Sequence, residues 1–234
     1  MYPEKRGTAM NPMTHLIAAT VAFLATHYVS STPLRAKLVN ALGNAYLGLY
    51  SLIAFATLGY MVWAYYRAPS VGLWYSPVLR YVPLVVMPIA FILMACGLLT
   101  RNPTLVGQER LLETDEAARG ILRITRHPLM WGFALWAASH ILARGDAASV
   151  IFFGGFLVLA LSGTVLIDRR KAANLGDNWR RFAAVTSNVP FVAIAARRNN
   201  FKPGEIGWLQ PVAGIALYVA VLFLHSSLFG VRPY

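Results

Sequence analysis

The stretch YVPLVVMPIAFILMACGLLT, residues 81–100, holds no charged residue, and an arginine flanks it on either side, Arg80 and Arg101. Twenty residues of helix at 1.5 Å each span about 30 Å, the thickness of a bilayer's hydrocarbon core. Five more apolar runs of comparable length occur at 13–31, 45–66, 128–143, 147–167 and 208–229. The composition agrees: 57% of the 234 residues are hydrophobic and only 13% charged. A soluble fold of this size could not cover so much apolar surface, whereas helices in lipid need no such cover. The expected fold is all-α, a polytopic transmembrane helical bundle of about six spans. A tail over 1–12 precedes a single transmembrane domain over 13–234.

Prolines mark where these helices begin. Pro128 suits a first helical turn, where its missing N–H has no partner to lose. Pro83 and Pro88 predict a kink or a late start in the third span. Lys5 and Arg6 precede an apolar run, but no small-x-small cleavage pattern closes it and His27 and Tyr28 interrupt it, so it does not read as a cleavable signal.

The net charge of +12 would suggest nucleic acid in a soluble chain. Here the basic residues sit between apolar runs, which points to topology and anionic lipid and away from nucleic acid. With six spans, the two tails and the second–third and fourth–fifth loops carry six of the 21 Lys and Arg, and the other loops carry 15. The richer side is cytoplasmic, which places both termini outside, in the periplasm if the membrane is a bacterial inner membrane. The loop 168–206 has a basic stretch bearing Trp179 and then the apolar patch from Val189 to Ala196, the pattern of an interfacial helix. Trp74, Trp179 and Trp208 read as interfacial anchors. Gly154 and Gly155 in the fifth span mark close helix packing.

Cys96 stands alone inside an apolar run, so neither an internal disulfide nor a cysteine metal cage is available. There is no internal repeat, P-loop, HExxH or GxSxG. What remains is histidine. His15, His27, His127, His140 and His225 all lie in a predicted span or at its end, where ionisable groups are expensive and mark function by default. Packing against a backbone carbonyl or hydroxyl of a neighbouring helix is the competing explanation for each. None of the nine acidic residues lies well inside a span, which disfavours a carboxylate di-iron site. Imidazole ligates haem iron, and a porphyrin can bury its faces between helices.

Helical geometry limits the pairs. His15 and His27 differ by about 120° around their helix, and His127 and His140 by about 220°. A bis-histidine site must therefore draw its ligands from different helices. His27 and His140 differ in predicted depth by roughly 8 to 16 Å. His15, His140 and His225 share the outer side more naturally.

GLLTRNPTLVGQE (97–109), RITRHPLMWG (123–132), LWAASHILARGD (135–146) and DRR…WRRF…TSNVPF (168–191), with THYVSS at 26–31, resemble the NnrU family and its relatives, the zeta-carotene isomerases of plants and cyanobacteria. The resemblance runs from the first span to about residue 196. It implies a membrane protein binding haem b, with His27 and His140 as axial ligands of the iron. It also implies either isomerase chemistry on a lipophilic polyene or a redox or nitric-oxide-linked role in denitrification. The isomerases carry a cysteine three residues before the second histidine; here that position is Ala137, so no thiolate can replace His140. His127, with Arg123 or Arg126, could hold a haem propionate, since arginine pairs well with carboxylates. The RHP motif followed by a helix also resembles membrane methyltransferases that bind S-adenosylmethionine. Their acidic pair would fall at 168–172, where Asp168 is followed by three basic residues, which argues against methyl transfer. A cofactor-free assembly factor, its histidines serving only packing, is the third reading. The sequence assigns no oligomeric state.

Overall fold

The structure, a computed structural model, describes residues 10–114 and 117–233. Most of the expected N-terminal tail, residues 1–9, therefore lies outside the described residues. Among those described there is no strand, only one isolated bridge between Gly72 and Asp146.

Six long helices stand where the apolar runs predict them. They are α1 (Pro12–Val29), α3 (Ala45–Arg67), α4 (Val82–Leu99), α5 (Pro128–Arg144), α6 (Ala147–Val185) and α8 (Leu209–Phe229); two shorter ones are α2 (Leu34–Leu42) and α7 (Val192–Ala195). Four helices are long and apolar enough to cross a bilayer, or five if α1 and α2, bent by 74°, form one broken span. The 17 residues of α5 sit at the short end of the spanning range of about 17–25.

The helix starts follow local chemistry. Asn11 caps α1, its side-chain oxygen accepting from the Met13 N–H at 3.0 Å, with Pro12 in the first turn. Pro128 opens α5, and Pro83 falls in the first turn of α4 after a 3-10 turn at Leu79–Tyr81. Pro88 is carried inside α4.

The main departure from expectation is α6. It runs on past the predicted span end through DRRKAANLGDNWRRFAAV, broken at Gly176 (φ 50°, ψ −123°). Arg, Lys, Ala and Leu are strong helix formers, so a polar segment can extend an apolar helix out of the membrane. Trp179 is not an interfacial anchor. It is buried with Phe182 against Leu112, whereas Trp208 is largely exposed. The patch after Val189 forms only the single turn of α7, with Phe191 and Val192 exposed and Ala193 buried.

The chain divides into two compact units, Met1–Tyr75 with Arg144–Gly155, and Ser76–Ala143 with Phe156–Tyr234. In the first unit α1 and α2 pack on α3. A Cβ at Gly155 would meet Thr20 at 2.7 Å, so this glycine does mark close packing, while Gly154 has nothing within 4 Å. The start of α6 is tied down by Asp146. Its carboxylate accepts from the Ser149 N–H at 2.9 Å and from the Ser149 hydroxyl at 2.7 Å, and Tyr65 shares that hydroxyl at 2.8 Å.

In the second unit α4 packs against both α5 and α8. Glycine allows each close approach: a Cβ at Gly132 would sit 2.9 Å from the Ala90 carbonyl oxygen, and one at Gly214 would sit 2.8 Å from both Ile92 Cα and the Phe91 carbonyl oxygen. Because the atoms facing Gly214 are backbone, no rotamer change relieves the clash. Gly214→Ala is expected to push α8 off α4 and cost about 1–3 kcal/mol, the usual penalty of overpacking. A lowered melting temperature in detergent checks it, and an unchanged one would contradict the packing described here.

Candidate functional site

The five histidines divide by what holds their rings. In α1, His27 Nδ1 lies 2.7 Å from the Phe23 carbonyl oxygen, and in α5 His140 Nδ1 lies 2.8 Å from that of Trp136. Both partners are one turn back, where helical side chains lean. In α8 the same atom of His225 lies 2.7 Å from the carbonyl oxygen of Val231. That contact exists because Gly230, at φ 70°, ends the helix in the left-handed conformation and turns the chain back. A carbonyl oxygen can only accept, so in each case Nδ1 carries a proton. His15 differs, its Nδ1 lying 2.8 Å from the Tyr60 hydroxyl.

His140 and His225 line one cavity of about 220 Å³ in the second unit, with Met87 and Phe91 of α4, Trp136 of α5 and Tyr218 of α8. Its walls are mostly apolar and aromatic. The Trp136 and His140 rings are 5.7 Å apart and tilted, and Phe229 lies 4.9 Å from His225. His15 and His27 belong to the first unit, where the His27 ring lies tilted at 4.2 Å from Phe23 and meets Tyr50 edge-on at 6.3 Å. Among the described residues no group of three or more His, Cys, Asp or Glu is placed to hold a metal ion.

His127 is set in different chemistry at the other end of α5, roughly 20 Å from His140 by helical rise. Its Nε2 lies 2.7 Å from Asp168 Oδ1. Arg126 grips the same carboxylate, Nε at 3.0 Å from both oxygens and Nη2 at 2.6 Å from Oδ2. Burial pushes the His127 imidazole below its ordinary range, against the opposing pull of Asp168. The ring is therefore neutral at pH 7 and donates Nε2–H to the carboxylate. Around this knot, Asn102 donates to the Arg126 carbonyl at 3.1 Å and Trp131 to that of Asn188 at 2.8 Å. Nearby, Lys171, 3% exposed, donates to Glu109 at 2.6 Å.

Arg123 is also paired within the chain. Its Nε donates to Glu205 Oε2 at 2.7 Å and its Nη2 to Oε1 at 3.0 Å. A propionate held by Arg123 or Arg126 would thus share its guanidinium with Glu205 or Asp168. The sequence reading missed these carboxylates as partners. A buried charge needs a partner, which says that one exists but not which. Arg126 and Asp168 are 42 positions apart, and Arg123 and Glu205 are 82 apart.

The Arg123 guanidinium, with lesser help from the Gly120 N–H and Lys202, holds the Glu205 carboxyl down from 4.5 to about 2. Depression on folding means that this carboxylate's stabilising contribution is complete above pH 4.5 and is lost as pH falls towards 2. Melting temperature should therefore fall between those limits more steeply in the wild type than in Glu205→Gln. Parallel curves would show that the pair contributes nothing.

The family model described as NnrU protein matches residues 15–233. The chain belongs to the NnrU family. Two curated relatives of this NnrU protein bear the name 15-cis-zeta-carotene isomerase, chloroplastic. The one from Arabidopsis thaliana is 33% identical over 114 residues, 47% of this chain and 31% of the relative. The one from Zea mays is 37% identical over 109 residues, 45% of this chain and 30% of the relative. The match thus spans under a third of these relatives' length. No solved structure matches.

Proposed function

We propose that this NnrU protein is a b-type haem protein of the bilayer with isomerase-like chemistry on a lipophilic polyene. One observation carries the proposal. The imidazole of His140, oriented by the Trp136 carbonyl, lines an apolar, aromatic-walled cavity. The imidazole and the apolar lining support that reading, since a porphyrin needs imidazole nitrogen for its iron and apolar surface for its faces. His140 is the ligand to which the reading commits. The resemblance pairs it with His27, whose ring is prepared identically.

Bound haem would supply an iron centre able to change oxidation state or withdraw electron density from a polyene. The chain's own part is to fix the imidazole's orientation through Trp136, exclude water with Met87, Phe91 and Trp136, and admit an apolar substrate sideways from lipid. The Arg126–Asp168–His127 knot at the far end of α5 would anchor that helix. In the same reading the protein sits in a bacterial inner membrane with its basic loops cytoplasmic and both termini periplasmic.

The test combines haem content with turnover. The purified protein in detergent, supplied with haem b, should bind it stoichiometrically and convert a 15-cis polyene to its trans form, followed by chromatography; His140→Ala should lose both. A wild-type protein that stays colourless after haem addition and leaves the polyene unchanged would sink the reading.

A further inference from the structure

We infer that the segment 186–192, which joins α6 to α7, is a bilayer anchor that seats Phe191 and Val192 in the acyl boundary of an anionic leaflet. The partner is lipid: apolar tails for the exposed ring and valines, acidic headgroups for the arginines that flank them. The inference lies wholly within the second unit and is independent of the haem reading.

The first argument is depth. The apolar run of α6 ends at Asp168, and the helix goes on to Val185 before the chain turns. That turn comes back to the apolar ends of α5 and α6. The Asn188 side-chain amide donates to the Thr164 hydroxyl at 2.8 Å, and the Asn188 carbonyl accepts from the Trp131 indole N–H at 2.8 Å. Thr164 stands four residues inside Asp168, about 6 Å along the helix. The Arg126 N–H donates to the Ser187 carbonyl at 3.0 Å, and the Phe191 N–H donates to the Ile124 carbonyl at 2.8 Å. The turn is thus bonded along its length to the start of α5. Side chains that leave it outward meet the layer about 5–10 Å deep in which interfacial apolar groups sit.

The second argument is what the turn exposes. Phe191 is 52% exposed at φ 66°, a backbone conformation that a bulky side chain rarely adopts. Such strain persists where the surroundings impose it, here through the bond to Ile124, and it clusters at functional positions. Asparagine would take this conformation more easily, so the aromatic ring needs a reason outside the fold. The ring lies edge-on to the exposed Phe201 at 6.4 Å, and Val189 and Val192 are exposed as well. The third argument is charge. Residues 178–204 hold five basic side chains and no acidic one. Arg198 caps the end of α6, donating to the Ala184 and Thr186 carbonyls at 2.6 and 3.1 Å, and Arg180 pairs with Asp177. Arg181 donates to the neutral Asn178 side chain at 2.7 Å, and Arg197 is exposed. An apolar patch at interfacial depth, flanked by excess positive charge, complements an anionic lipid surface.

The experiment is nitroxide accessibility in the full chain reconstituted in vesicles, with the label on Val192→Cys. The aqueous reference is Asn174→Cys, an exposed site on the polar extension of α6. Cys96 is buried and should not label, and the wild type serves as the blank. In vesicles of mixed phosphatidylglycerol and phosphatidylcholine, the label at position 192 should favour oxygen over a water-soluble nickel complex several-fold more than the label at 174. In pure phosphatidylcholine that preference should shrink, and Arg181→Gln with Arg197→Gln should shrink it alike in the mixed vesicles. Equal nickel access at the two positions would overturn the anchor. A preference indifferent to lipid charge and to both arginines would overturn the anionic partner. Dipolar broadening at 192 that vanishes on dilution with unlabelled protein would hand the patch to a second copy and overturn the lipid assignment. Phe191→Asn suits the left-handed backbone, so it should keep the melting temperature in detergent while the label at 192 loses oxygen preference in vesicles. A lowered melting temperature with unchanged preference would make the ring a packing residue and overturn its role.

Discussion

Asp168→Ala is expected to destabilise the protein by about 3–5 kcal/mol, the cost of removing one partner from a buried ion pair. Asp168 is the acceptor for two groups at once. Arg126 reaches both of its oxygens and His127 reaches one. The exposures of Arg126, Asp168 and His127 side chains are 13%, 17% and 1%, so water cannot readily replace the lost carboxylate. The loss should appear as a lower midpoint in thermal or denaturant unfolding in detergent. Asp168→Asn keeps one acceptor oxygen and should fall between. Pairing Asp168→Leu with Arg126→Met should recover part of the loss, because removing both charges leaves none unpaired. A single-variant loss below about 1 kcal/mol would place the knot among surface pairs, which contribute little. His140 stands at the opposite end of α5, so the haem binding proposed there should survive per folded molecule in Asp168→Asn.

The second large effect is expected at Gly145, where α5 passes to α6. The glycine adopts φ +62°, and a Cβ there would lie 2.2 Å from the Trp74 carbonyl oxygen. The close approach has a cause: the Gly145 carbonyl accepts from the N–H groups of both Leu73 (2.7 Å) and Trp74 (3.0 Å), and the Ala147 N–H donates to Val71 at 2.8 Å. Gly145→Ala meets two penalties together, about 1–2 kcal/mol for a left-handed residue bearing Cβ and about 1–3 kcal/mol for the forced displacement. The expected sum is roughly 2–5 kcal/mol. Amide hydrogen exchange should also quicken at Leu73 and Trp74, whose shared acceptor would move. Unchanged protection there would show that the turn can relax at little cost.

Much of the helical frame was legible because its causes are local. A run such as 81–100 can satisfy its backbone in lipid only as a helix, and Pro128 and Pro83 mark starts by their own covalent structure. The reading stumbled where the deciding contact is distant. Trp179 looked like an anchor because it sits among arginines, yet it is buried beside Leu112. The extension of α6 was overlooked because hydropathy ended at Asp168 while helix propensity did not. Gly154 and Gly155 look alike in sequence, but only Gly155 faces another helix, since which side of a helix is covered depends on its rotation.

The same division runs through the candidate site. The sequence by itself determined a helical membrane protein with its five histidines in or at the ends of apolar runs, because hydropathy, proline chemistry and residue type act within a few positions of the chain. Only the tertiary structure decided which carboxylates take Arg123, Arg126 and Lys171, and that His140 shares a cavity with His225. The physical reason is that helix rotation and helix pairing are set by packing contacts such as Gly132 on Ala90 and Gly214 on Ile92. Each joins residues tens of positions apart and leaves no periodic trace in either segment.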